Sequence, residues 1–243
     1  MRASIIGLVV VFILGASGAA FAVPSIFFGE DAGLGEYTPL SSWVNSASAE
    51  ADFLSYLTGV GTEDFEGFSS GQGAPLGLVF PGAGTATLQG TGNIEAVTPG
   101  TTNGYGRYGT SGYNYWESGY DFAIDFGSPV AAFGFYGIDI GDFDGSVTLS
   151  YMNGTSSELV IPHTVGGAGG SVIYYGFFDV DNPFNRIEFG NTEAGWDYFG
   201  FDDMTIGSVE QVDPDPVPEP ATLALMSTGL LGLVGTLVKR RKR

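Results

Sequence analysis

Ser146-Val147-Thr148-Leu149-Ser150-Tyr151-Met152-Asn153-Gly154-Thr155-Ser156-Ser157-Glu158-Leu159-Val160-Ile161 decides the fold class. Val147, Leu149 and Tyr151 alternate with Ser146, Thr148 and Ser150. A period of two sends successive side chains to opposite faces, which is the signature of a half-buried strand. Asn153-Gly154 supplies the residues a type I′ hairpin turn demands, and Ser157 to Ile161 runs back. The same period recurs from Thr62 onward. Strands are predicted at Thr85–Gln89, Asn93–Val97, Tyr120–Phe126, Val130–Ile138, Ser171–Phe178, Phe184–Phe189 and Phe199–Ile206, between spacers rich in Gly, Asn, Asp and Pro. Short strands at this density, with no long helix among them, predict an all-β sandwich over residues 62–208. Its core falls to the aromatic residues, because the chain has no cysteine to staple it.

Residues 23–61 read as a lead-in. Residues 23–40 show no strong period and are expected to be irregular. A helix is expected near 41–58, capped by Ser41 or Ser42, with Ala47, Ala51, Leu54 and Leu57 on one face and Gly59 at its end. Trp43 and Phe53 widen that face.

Charge excludes whole classes of function. Between residues 23 and 213 stand two arginines, Arg107 and Arg186, against 25 carboxylates, a net charge of 2 − 25 = −23. Such a surface repels phosphate backbones, so no nucleic-acid partner is expected. The absence of cysteine removes thiol catalysis and thiolate-bound metals, and a single histidine, His163, removes most triads. Gly104-Tyr105-Gly106-Arg107-Tyr108-Gly109 matches the dinucleotide fingerprint as a string, but no helix or βαβ unit follows it.

The two ends read as targeting segments. Arg2, the apolar run Ile5 to Leu14 and Ala20-Phe21-Ala22 make residues 1–22 a secretory signal peptide, with a mature start near Val23. Residues 209–220 form a Pro- and acid-rich linker ending in Val217-Pro218-Glu219-Pro220. Residues 221–238 are apolar or small throughout, and at about 1.5 Å per residue they span roughly 27 Å, enough for one transmembrane helix. Residues 239–243 are all Lys or Arg, a cytoplasmic tail.

The order of Pro218-Glu219-Pro220, a Gly/Leu-rich span and a basic end resembles the PEP-CTERM sorting signal of Gram-negative bacteria, over Val217 to Arg243. The resemblance implies Pro218, Glu219 and Pro220 as recognition residues for an exosortase. It further implies a transient inner-membrane anchor, then cell-surface or extracellular location beside exopolysaccharide or biofilm matrix. A second resemblance rests on Thr62-Glu63-Asp64-Phe65-Glu66-Gly67-Phe68, Phe133-Gly134-Phe135-Tyr136-Gly137 and Trp196 to Met204. These look like the jelly-roll ectodomains common among PEP-CTERM proteins and, more loosely, like carbohydrate-binding modules. The functional expectation is a non-enzymatic matrix protein. A carbohydrate-binding module with a defined glycan site is the alternative, and a secreted glycan hydrolase using paired carboxylates the third.

Candidate site residues fall in three groups. Asp139, Asp142 and Asp144 crowd one loop, and carboxylates on a turn suit Ca²⁺. Asp202 and Asp203 on the last strand are expected to meet Asp64 or Glu66 near the first, again with Ca²⁺ as a structural cation; as neighbours on a strand they should point to opposite faces. The Gly-rich aromatic run Tyr105 to Tyr120 is expected as a loop, with Tyr113, Tyr115 and Trp116 as a glycan platform.

Overall fold

The computed structural model describes residues 24–140, 146–152, 154–165, 167–190 and 198–214. In chain order its elements are β1 (Ser25–Asp31), α1 (Val44–Leu54), β2 (Thr62–Glu63), β3 (Leu76–Phe80), β4 (Gly84–Gly90), β5 (Asn93–Ala96), β6 (Asn114–Ser118), β7 (Phe122–Val130), β8 (Ala132–Ile138), β9 (Ser146–Tyr151), β10 (Ser156–Val160), β11 (Val172–Phe178), β12 (Phe184–Gly190) and β13 (Phe199–Gly207). A 3-10 turn covers Val209–Gln211. These strands build two antiparallel sheets, as the alternating pattern predicts. One runs β1-β11-β8-β13-β6-β5, with β2 added beside β13; the other runs β10-β9-β12-β7-β4-β3.

The sheets enclose an aromatic core. Phe122 stacks on Phe189 with ring centroids 4.3 Å apart, and Phe201 and Phe135 meet that pair edge-on. Offset and edge-to-face contacts are the favoured arrangements for such rings. The seven-stranded sheet is covered twice, by the other sheet on one face and by α1 on its second face. Its central strands β8 and β11 are therefore buried at every position, and a strand covered on both faces loses alternation. The six-stranded sheet keeps one face open: in β12, Ile187 and Phe189 are buried while Glu188 is exposed.

Phe53 of α1 docks into a socket made of two glycines. Gly134 of β8 and Gly176 of β11 are partners in register. A side-chain carbon on Gly134 would stand 2.8 Å from Phe53 Cε1, and one on Gly176 would stand 2.9 Å from Phe53 Cγ. Only the missing Cβ atoms let the helix approach this closely.

Several local expectations are corrected. Residues 25–31, expected as irregular, form β1 along the edge of the seven-stranded sheet. The helix is shorter than 41–58, and its buried face carries Ser46, Ala49 and Phe53, whereas Ala47 and Ala51 are exposed. Neither Ser41 nor Ser42 caps it. Trp43 occupies the N-cap, and the carboxylate of Asp31 on β1 accepts from Asn45 N–H (3.2 Å) and Ser46 N–H (2.9 Å). Strands β2, β3 and β6 fall outside the predicted strands. The β9–β10 turn holds the three residues 152–154: Tyr151 N–H donates to Thr155 O and Gly154 N–H to Tyr151 O, with Gly154 at φ +81°. That is a three-residue hairpin with a left-handed glycine instead of a two-residue type I′ turn. The signal peptide (1–22), the apolar span (221–238), the basic tail and the turn residue Asn153 lie outside the described residues. Among the described residues no helix is long and apolar enough to cross a membrane.

The glycine socket gives a direct test. Gly176→Ala is expected to destabilise the protein by about 1–3 kcal/mol through overpacking, and Phe53→Ala by about 3–5 kcal/mol through the emptied socket. Urea unfolding midpoints check both; a parental midpoint for Gly176→Ala would contradict the docking of Phe53.

Candidate functional site

Arg107 is the organising group. It is buried, and its charge is met on several sides. Nε donates to Glu117 (2.6 Å) on β6; Nη1 donates to Tyr198 O (2.9 Å) and reaches Asp139 (3.3 Å) at the end of β8. Burial disfavours the guanidinium charge, but Glu117 and Asp139 outweigh it and hold the pKa above its ordinary value. Asn103 ties the loop to this centre, donating to Glu117 and accepting from Tyr105 N–H and Arg107 N–H. Asp139, at φ +60°, also accepts from Gly170 N–H. Gly106 passes so close that a Cβ there would lie 2.6 Å from the Asp139 carboxylate.

Around this buried cation stands a row of tyrosines. The Arg107 guanidinium carbon lies 5.6 Å from the Tyr105 ring centre and 5.9 Å from that of Tyr198, both within cation–π range. Tyr198 then meets Tyr120 edge-on at 6.4 Å. Tyr105 is 66% and Tyr120 47% exposed. Tyr105 and Tyr198 are thus backed by Arg107 and Tyr120 by Tyr198, with Tyr198 half-buried between the two exposed rings, and we call the three the tyrosine shelf. Glu36, whose carbonyl accepts from Gly106 N–H, and Asp121, next to Tyr120, are exposed at its margins.

The expected platform of Tyr113, Tyr115 and Trp116 is not formed. Asn114–Ser118 is strand β6, inside the seven-stranded sheet, and Tyr115 and Trp116 are 0% exposed on its two faces. Only Tyr113 is exposed. A buried ring cannot stack on a sugar. The exposed rings of this segment are Tyr105, Tyr113 and Tyr120, and Tyr198, which no sequence pattern singles out, joins them from the start of the chain's last strand. The available signal was Arg107 itself, one of two cations in the domain, set between tyrosines.

Asp202 and Asp203 do not point to opposite faces. The β13–β8 register shifts between Asp202 and Thr205, and Asp203 adopts φ +47°. This bulge re-aims the strand, so both carboxylates meet the loop Thr110-Ser111. Asp202 accepts from Thr110 N–H (2.7 Å) and Ser111 N–H (3.2 Å), and Asp203 accepts from Ser111 Oγ (2.7 Å). Thr110 Oγ1 lies 3.0 Å from Asp202 and 2.8 Å from Asp203. Glu66 is spent on Tyr113 N–H and Asn114 N–H, and Asp64 on Glu66 N–H. Main-chain donors and hydroxyls thus engage the carboxylates expected to hold Ca²⁺ between the first and last strands. Among the described residues no group of three or more His, Cys, Asp or Glu is arranged to hold a metal. Asp139 serves Arg107, and Asp142 and Asp144 lie outside the described residues.

By architecture the ectodomain is a two-sheet antiparallel sandwich. Residues 216–242 match the PEP-CTERM protein-sorting motif, which contains Pro218, Glu219 and Pro220. Such a motif implies exosortase-dependent export and a cell-surface or extracellular location. No curated relative matches the chain. Among solved structures, the K2 cleaved adhesin domain of Lys-gingipain is similar at 16% identity and TM-score 0.38, covering 60% of this chain and 97% of that domain. A family 29 carbohydrate-binding module (19% identity, TM-score 0.30) covers 53% of this chain and 98% of its own. A family 61 module solved with β-1,4-galactotriose (15%, 0.29) covers 63% and 97%.

The Asp202–Asp203 pair carries a pH dependence of determinate sign. Burial, then mutual repulsion, raises the Asp202 carboxyl well above its ordinary value. Burial, with Asp64 and Glu66 adding repulsion, raises Asp203, whose charge in turn helps burial to raise Glu50 of α1. The folded state then holds a proton that the unfolded chain releases near pH 3.9. Stability from this pair is full below that pH and is lost as pH rises through the folded values. Thr110 has one hydroxyl hydrogen for two carboxylates, so an amide at position 203 supplies the missing donor. Asp203→Asn is expected to raise stability at pH 7 by about 1 kcal/mol and flatten its decline from pH 4 to 7. Calorimetric melting across that range checks this; a lowered melting temperature at pH 7 would contradict it.

Proposed function

We propose that this chain is exported on its N-terminal signal, held briefly in the inner membrane by residues 221–238 and processed by an exosortase at Pro218-Glu219-Pro220. Its jelly-roll-like sandwich then binds polysaccharide of the extracellular matrix, without catalysis. The observation that supports glycan binding is the tyrosine shelf: Tyr105 and Tyr198 each set against buried Arg107, and Tyr120 edge-on against Tyr198, with Tyr105 and Tyr120 exposed. Aromatic rings stack on the apolar faces of sugar rings, and rings already immobilised lose little entropy on binding. Clustered exposed aromatics mark interaction sites, whereas single ones do not. The adjacent acids Asp202 and Asp203 favour binding over hydrolysis, because they are covered by the Thr110-Ser111 loop and committed to its donors.

The shelf is tested by affinity electrophoresis in gels cast with exopolysaccharide from the producing cells. Tyr105→Ala and Tyr198→Ala are expected to abolish retardation, with Tyr105→Ala changing stability by no more than about 0.5 kcal/mol. Trp116→Ala, by contrast, should cost about 3–5 kcal/mol as a core deletion. Undiminished retardation in both tyrosine variants would refute the shelf.

Processing has its own test. Mass spectrometry of surface-associated protein is expected to show a start near Val23 and the loss of residues 239–243. A surface form retaining that tail would refute exosortase cleavage.

A further inference from the structure

Tyr120 of the shelf leads in the chain directly into β7. The next residue, Asp121, lines a trough of about 360 Å³ on the open face of the six-stranded sheet. Gln89, Thr148, Arg186 and Glu188 form its walls. The register explains the juxtaposition. Gln89 of β4 pairs with Ala123 of β7, Ala123 with Glu188 of β12, and Glu188 with Thr148 of β9. In-register residues of neighbouring strands share a face, so these four form one row across the sheet. The neighbouring row, Leu88, Ile124, Ile187 and Leu149, is buried, which confirms that the first row faces outward. A small residue, Ala123, stands among longer ones, and the depression lies over it.

The chemistry of the trough is one-sided. Its cation, Arg186, is already shared: it donates to Asp125 and, through Nε (2.9 Å) and Nη2 (2.8 Å), to Glu188. Two carboxylates, Asp121 and Glu188, line the trough against this one guanidinium, which Asp125 outside the trough also engages, while Gln89 and Thr148 add neutral hydrogen-bonding groups. A uronate or sulfate entering here would meet net negative charge; an ammonium group would meet acceptors of opposite sign. The surrounding domain reinforces this sign, with its −23 balance.

We propose that the trough is a subsite for the primary ammonium of an amino sugar, in a hexosamine polysaccharide whose neighbouring rings lie on the tyrosine shelf. This rests on the glycan reading of the shelf and names its ligand class. Stacking on tyrosine is indifferent to charge, so the shelf alone would accept neutral and cationic sugars alike. Selection falls to the trough.

The test is calorimetric titration of the full chain in detergent with three probes: a glucosamine hexamer, its fully N-acetylated counterpart and a hexameric polyuronate. The glucosamine hexamer is expected to bind about fivefold more tightly than the acetylated one at low salt, with the preference shrinking as salt is added. The polyuronate should not bind. Asp121→Asn combined with Glu188→Gln should erase the preference while leaving affinity for the acetylated hexamer unchanged. Diffuse attraction would barely respond, since the pair removes two of 25 carboxylates. Gln89→Lys, which keeps the Arg186 ion pairs, should invert the preference and guards against a folding defect in the double variant. Equal or tighter binding of the acetylated hexamer, or a preference surviving both sets of variants, would overturn the trough and leave the shelf standing. Failure of every hexamer to bind the parent protein would overturn both.

Discussion

Twenty-five carboxylates share two arginines in this domain, and the fold is arranged around that shortage. A carboxylate leaving water needs donors, and where cations are absent the main chain supplies them. Asp31 takes the first N–H groups of α1; Glu63 takes those of Phe65 and Val79; Glu66 takes Tyr113 and Asn114; Asp179 takes Asp181 and Asn182; Asp202 takes Thr110 and Ser111. Each of these bonds pins a loop or a helix end. The acids are therefore structural fasteners as well as surface charge. Glycine beside them is what lets a main chain approach a carboxylate closely, as Gly106 does at Asp139.

This explains what the sequence could reveal. Strands with one open face, such as β9, β10 and β12, announce themselves by alternation, and the sandwich follows from them. Strand β6 is covered on both faces, sits in a Gly-rich run and reads as a loop. Strand β1 has no clean period, because one side of it packs under α1. Strand β3 was legible in principle: Leu76, Leu78 and Phe80 are buried and alternate with Gly77 and Val79. The helix cap was not legible at all. Local serines offered a plausible cap, but the acceptor used is Asp31, on a strand that precedes the helix by a dozen residues.

The site shows the same division. That the segment from Tyr105 to Tyr120 is dense in aromatic residues was readable from composition. Which rings face out was not, since that depends on β6 entering the sheet and turning Tyr115 and Trp116 inward. The third ring, Tyr198, lies 91 positions from Arg107 in the chain and is brought there by β13 lying beside β6. The acid pair failed for a different reason. Alternation assumes a regular strand, and one bulge at Asp203 was enough to put both carboxylates on the same side.

Both cations being consumed internally has a consequence for anything that approaches. Arg107 is spent beneath the shelf and Arg186 across the open sheet, so neither offers an anion an unshared partner. The outward field is then negative almost everywhere, and only contacts indifferent or complementary to it can attract. Aromatic rings provide the first kind. They hold an uncharged surface in place at any ionic strength, because stacking is not screened. Carboxylates provide the second kind, and their pull weakens as salt rises. A ligand lying across shelf and trough would feel both, with its grip set by the tyrosines and its selectivity by the acids. The two effects separate experimentally for the same physical reason that they separate on the surface: one depends on ionic strength and the other does not.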